Sequence, residues 1–94
     1  MTMAKRILHL PIKAEYFYGI KAGTKHWEYR LQTDYWKKRL VGRVYDEIHF
    51  KLGYPPANDH DRILVRPWRG FETKLIEHKH FGAGERHVFA IRAN

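Results

Sequence analysis

The spacing of apolar residues along this chain alternates between the period of a strand and the period of a helix. "KRILHLPI" opens as an apolar run and predicts a strand ending at Pro11. In "KAEYFYGIKAG", Tyr16, Phe17 and Ile20 share one helical face, with Lys13 and Lys21 beside it. Gly23 stands where a left-handed cap residue belongs, while Gly19 weakens the helix and leaves its stability to packing. "HWEYRL" places bulky residues at alternate positions and predicts a strand. "QTDYWKKRLVG" predicts a short helix, with Thr33 or Asp34 as its N-cap and Gly42 as its stop. "RVYDEIHFKLGY" alternates cleanly, with Val44, Asp46, Ile48, Phe50 and Leu52 on one face and Tyr45, Glu47, His49 and Lys51 on the other. "PPANDHD" is a loop by composition; "RILVRPW" and "FETKLIEH" read as two strands interrupted at Pro67 and Gly70. "FGAGER" is a turn, and "HVFAIR" is a last strand. The expected architecture is α+β: one domain over residues 1–94, a small curved β-barrel of about five to six strands, with one or two short helices beside a cleft.

Size and charge sharpen this picture. A chain of 94 residues supports one core. It has no cysteine, which removes disulfides and thiolate metal sites, and no serine, which removes a serine nucleophile. No apolar run approaches a membrane span, and the start "MTMAKRILHLP" is too short for a signal peptide, so a soluble cytoplasmic protein without a membrane partner is expected. Eighteen Lys and Arg against ten Asp and Glu give +8, a balance suited to polyanions. The excess is +5 over residues 1–60 and +3 over residues 61–94, so it is not a detachable tail. Solubility alone is the simpler explanation of such a charge.

Four stretches carry candidate chemistry. In "KAGTKHWEYR" the strand period sends His26, Glu28 and Arg30 to one face and Trp27 and Tyr29 to the other, one face being core and the other a charged row. Lys25 sits at the turn, where parity does not decide its direction. Such a row suits a nucleobase: Lys25 and Arg30 donate to phosphate or carbonyl oxygens, Glu28 accepts from an exocyclic amine, and His26 stacks or exchanges a proton. It suits equally a Glu28–Arg30 ion pair on a solvated strand. "YWKKRLVGR" sets Lys37, Lys38 and Arg39 beside Trp36, as in proteins that track a single strand, or as in a helix with its aromatics inward. "VRPWRG" brackets Trp68 with Arg66 and Arg69, a stacking platform between phosphate clamps or a core plug with snorkelling arginines. "HKH" would put His78 and His80 on one strand face, half of a metal site with no third ligand signalled. No cofactor or metal is called for.

Taken together, "LPIKAEYFYGIKAGTKHWEYR", "DEIHFKLGYP" and "HVFAIR" resemble the ASCH domain family, related to the PUA RNA-binding domains. Gly23, Lys25, Glu28 and Arg30 match the family's Gly-x-Lys-x-x-Glu-x-Arg signature. The likeness spans nearly the whole chain and is nearest to the small bacterial ASCH proteins. It implies a PUA-like barrel with the signature residues lining a cleft, and RNA or a modified nucleoside or nucleotide as partner. Some members of the family are amidohydrolases that deacetylate N4-acetylcytidine, using a threonine after the signature lysine and a later glutamate. Here His26 holds that threonine position, Thr24 lies on the other side of the lysine, and Glu72 and Glu77 are the candidate glutamates. The first expectation is therefore a binding module, with Lys25, His26, Glu28 and Arg30 in the cleft and Trp36, Lys37, Lys38, Arg39, Arg66, Trp68 and Arg69 around it. The alternative is a small hydrolase, an amidohydrolase or a weak ribonuclease, with Lys25, His26 and Glu28 catalytic.

Overall fold

The computed structural model describes residues 4–94. Six strands and two α-helices run in the order β1 (Ile7–Ile12), α1 (Ala14–Lys21), β2 (Trp27–Leu31), α2 (Asp34–Leu40), β3 (Glu47–Leu52), β4 (Ile63–Pro67), β5 (Phe71–Glu77) and β6 (Glu85–Arg92). Single 3₁₀ turns at His60–Arg62 and Lys79–Phe81 interrupt the loops.

The strands form two three-stranded sheets, β1-β3-β4 and β2-β6-β5. In the first, β1 is parallel to β3 and β3 antiparallel to β4; the second is antiparallel throughout. Parallel β1 and β3 need a long crossover, which α1, β2 and α2 supply. The chain changes sheet again between β4 and β5, at the Pro67–Gly70 corner.

One core lies between these elements. Alternation along β1 buries Leu8, Leu10 and Ile12, and along β3 it buries Ile48 and Phe50. Helix α1 adds Phe17 and Ile20, α2 adds Leu40, and central strand β6 adds Phe89 and Ile91. β6 is buried on both faces from Val88 to Ile91, as a strand covered on each side requires. Both helix ends follow the sequence signals: Thr33 caps α2 by accepting from the Trp36 N–H at 3.4 Å, and Gly23 (φ +81°) turns the chain out of α1.

The structure corrects two expectations and does not show a third, the closed barrel. The ladders do not close into a barrel among the described residues; β1 and β2 are both edge strands. Pro11 has no N–H to offer on the β1 edge, and the Arg30 side chain takes the Pro11 carbonyl instead, at 2.9 Å. Val44 and Asp46 precede β3, so strand parity does not hold them inward, and Val44 is 63% exposed. β5 ends at Glu77, so His78 and His80 lie on a 3₁₀ turn, not on a strand face.

Phe17→Ala, which empties a fully buried ring, is expected to cost about 3–5 kcal/mol in urea unfolding. Val44→Ala should stay within about 0.5 kcal/mol of wild type. Similar losses for the two would contradict the core assignment.

Candidate functional site

A cavity of about 580 Å³ opens between the free edges of the two sheets. Pro11 and Ile12 of β1 form one side, Glu28, Tyr29 and Arg30 of β2 the other, and α1 contributes Tyr16. Lys25 enters from the α1–β2 turn, Tyr54 from the loop after β3, and His78, His80 and Phe81 from the turn after β5.

Its polar floor is a chain of charges. Glu28 is 4% exposed, the one buried charged residue among those described. Its two oxygens face opposite cations, Lys25 Nζ at 3.6 Å and Arg30 Nη2 at 3.4 Å. Arg30 continues to the Pro11 carbonyl, and its guanidinium lies 5.2 Å from the Trp36 ring centre. Arg30 Nε is buried and has no acceptor among the described residues.

Lys25 is positioned from several directions. Its ammonium lies 5.0 Å from the Tyr16 ring centre and 5.1 Å from that of Tyr29, attracted by both π faces. Its backbone N–H donates to the Gly19 carbonyl, and its own carbonyl accepts from Asn94 Nδ2 at 2.7 Å. A Cβ on Gly19 would sit 3.2 Å from Lys25 Cβ, so Gly19 keeps α1 close enough for this approach. The residue that weakens the helix is thus the one that admits the lysine.

The walls are aromatic. Tyr16 lies 5.9 Å from both His78 and His80, Tyr29 lies 5.8 Å from His78, and Phe81 lies 5.3 Å from His80. The His78 ring Nδ1 accepts from the His80 N–H, which fixes its orientation. Partial desolvation first, then the charge of Lys13, pushes the His80 pKa down. Burial raises the Tyr16 pKa and keeps its hydroxyl protonated. Tyr54, at the mouth, is 91% exposed.

Of the four signature-stretch residues, Lys25, Glu28 and Arg30 converge on this cavity and His26 does not. His26 precedes β2, so the strand alternation does not carry its side chain; it is exposed and outside the lining. Its carbonyl, which accepts from the Ala93 N–H at 2.8 Å, is tied to the end of β6 instead. The charged row does not face solvent: it is the inward row, with Trp27 and Tyr29 on the other face.

The outlying candidates lie apart from the cavity. Trp36 meets it indirectly, through Arg30. Lys37 and Lys38 are exposed on α2, and Arg39 folds over Tyr35 at 3.4 Å and donates to the Tyr35 carbonyl. Trp68 is partly buried and packs on the core, 5.2 Å from Tyr45. Arg66 donates to Asn94 Oδ1, and Arg69 lines a second, smaller hollow. Neither Glu72 nor Glu77 lines the main cavity. No group of three or more His, Cys, Asp or Glu is placed to hold a metal ion among the described residues. No helix there is long and apolar enough to cross a membrane.

Sequence reasoning did not single out Tyr16, Tyr29, Tyr54, Phe81 or Asn94 as site residues. The run "HKHF" before a glycine pair was a usable signal: three rings on a turn are seldom all needed by a core. Asn94 gave no local signal, because its role is a contact 69 residues away in sequence. Comparison of the chain with protein-family models, with curated proteins and with solved structures gave no match, so the ASCH resemblance stands on its motif residues alone.

Glu28→Gln leaves two cations facing a neutral amide and is expected to cost about 3 kcal/mol, the low end for a buried pair because both cations keep some solvent access. Urea unfolding reads it; an unchanged midpoint would remove the charge chain as a structural element. The pH dependence has a definite sign. His80 and His9 are exposed residues whose pKa values are nonetheless lowered from the ordinary 6.5 by partial desolvation, so the folded state binds fewer protons and stability falls modestly as pH drops below about 6.5. Glu15 and Glu47 have lowered pKa values, through hydrogen bonds from Lys79 and Lys5, and their contribution is lost only below about 4.5. Melting scans from pH 7.5 to 5.5 should show a declining Tm, and the double variant His9→Gln/His80→Gln should flatten that decline.

Proposed function

We propose that the cavity binds a nucleobase, as part of RNA or as a modified nucleoside, and that the chain is an ASCH-like binding module of PUA type. The observation that carries this reading is one cavity joining an aromatic wall to a fixed donor–acceptor floor. Tyr16, Tyr29, His78, His80 and Phe81 supply faces and edges for a planar ring. Lys25 supplies a donor for a ring carbonyl, and Glu28 holds lone pairs for an exocyclic amine. A volume of about 580 Å³ falls within the range of small-molecule sites. Tyr54 is the remaining element: with almost all of its ring in water, it gains burial when it closes over a bound base.

The hydrolytic alternative has one observation in its favour, the Lys25–Glu28 pair inside the cavity. His26 lies outside the lining, and the Thr24 hydroxyl donates to the Gly19 carbonyl, also away from it. Binding is therefore the better-supported reading. Incubation with N4-acetylcytidine, with cytidine followed by chromatography, separates the two; turnover lost in Lys25→Met would reverse the ranking.

For the binding reading, Tyr54→Ala is the cleanest variant, since no fold contact is at stake. It should weaken a nucleoside or short RNA ligand by about 1–3 kcal/mol, with Tyr54→Phe retaining most of the affinity. Lys25→Met should weaken binding as well. Lys21, exposed at the end of α1 and outside the cavity lining, serves as the control cation. Calorimetric titration with the four common nucleosides, N4-acetylcytidine and a ten-nucleotide RNA reads all of these, and heats indistinguishable from dilution throughout would reject the reading.

A further inference from the structure

A second hollow, of about 360 Å³, lies beside Trp27 and is lined by Arg69, Gly70, Phe71, Glu72 and Arg92. The Trp27 ring holds two cations against it, Lys74 Nζ at 4.1 Å and Arg92 Cζ at 4.9 Å from its centre. Arg69 and Arg92 make no side-chain hydrogen bond and no ion pair among the described residues. Lys74 reaches Glu72 only at 3.9 Å, the outer limit of a salt bridge. Two arginines and one carboxylate therefore line the hollow, with Lys74 beside it over Trp27, and two planar guanidinium forks have their donors unused. A cluster of like charges held together by an indole, with this little internal neutralisation, is complementary to an anion.

Its position indicates which anion. Trp27 and Tyr29 are two residues apart on β2 and on the same face, about 6–7 Å along the strand. Tyr29 is a wall of the main cavity and Trp27 a wall of the hollow. The two sites are neighbours along one edge strand, with exposed His26 before them. We propose that the second hollow binds a phosphate group of the strand whose base occupies the main cavity, so that the ligand is a single-stranded polynucleotide and not a free nucleoside. This rests on the nucleobase reading of the main cavity. Arg69 and Arg92 hold the phosphate oxygens, Lys74 adds charge, and Glu72 opposes binding.

The three tryptophans make the test separable, because their indole N–H resonances report three places. Trp27 reports the hollow, Trp36 the Arg30 end of the main cavity, and Trp68 the core. The ¹⁵N-labelled protein is titrated with a ten-nucleotide single-stranded RNA and, separately, with inorganic phosphate. RNA should shift Trp27 and Trp36 together and leave Trp68 in place. Arg69→Gln/Arg92→Gln should abolish the Trp27 shift and lower the salt slope of RNA affinity by about 0.7, the value for one phosphate on a single strand. If that contact vanishes at 1 M salt, the same slope corresponds to about five-fold at 0.1 M. Glu72→Gln, which leaves the arginines in place, should tighten RNA binding.

RNA that shifts Trp36 but not Trp27 overturns the hollow as a phosphate site and leaves the nucleobase reading intact. Inorganic phosphate that shifts Trp27 while RNA shifts neither resonance overturns the polynucleotide assignment, the nucleobase reading falling with it. An unchanged salt slope in the arginine double variant, or weaker binding in Glu72→Gln, also overturns the proposal.

Discussion

The Glu28 carboxylate organises this molecule. A charge so nearly removed from water is stable only where opposite charge meets it, and its two oxygens meet two cations from opposite sides. One of them, Arg30, reaches across to the Pro11 carbonyl and joins the edge of one sheet to the edge of the other. The other, Lys25, is drawn in from a turn and lodged between Tyr16 and Tyr29. Removing the carboxylate would leave both cations without their counter-charge, held only by the Pro11 carbonyl, the aromatic rings and the Lys25 backbone contacts. One buried acid thus gathers Lys25 and Arg30 at the cavity floor, where Arg30 links the two sheet edges.

The same arrangement accounts for a cavity where two strand edges approach. An open edge ordinarily pairs, is covered, or is blunted. Here β1 carries Pro11, which has no N–H, and β2 presents an arginine that takes the available carbonyl. A side-chain bridge therefore stands where a ladder would run, and the space beside it is lined by rings. The Lys25 turn is held from below by Gly19, which has no side chain to obstruct it, and from beyond by Asn94, whose amide donates to the Ile20 and Lys25 carbonyls. A lysine with this many constraints loses little further freedom on meeting a ligand.

Much of the fold was legible because its signals are local. The period of two in "HFKL", the cap at Thr33 and the glycine at 23 all act within a few residues, and each element stands where they put it. The partition into two sheets was not legible, since it depends on β6 pairing with β2 and β5 from more than fifty residues away in the first case. Parity placed Glu28 and Arg30 together correctly but could not say that their face was the inward one. A row of charges reads as solvated until its counter-charges are known, and Lys25, which neutralises it, lies outside the strand pattern. His26 was grouped with them by extending the alternation one residue too far. The aromatic wall was hidden for a different reason: Tyr16 and Tyr29 carry the same signal whether they fill a core or face a hollow.

The overall charge of +8 has to be apportioned with this in mind. In the main cavity, Lys25 and Arg30 face Glu28 and only Lys13 adds a cation without that partner, so a ligand there would be selected by shape and hydrogen-bond pattern as well as by field. The field comes from elsewhere: from Lys37 and Lys38 in water on α2, and from the guanidinium pair beside Trp27. A polyanion would be attracted by the second group of residues and recognised by the first. That separation follows from the buried acid itself, because the carboxylate that fixes Lys25 and Arg30 in place also cancels half of the charge that they would otherwise offer.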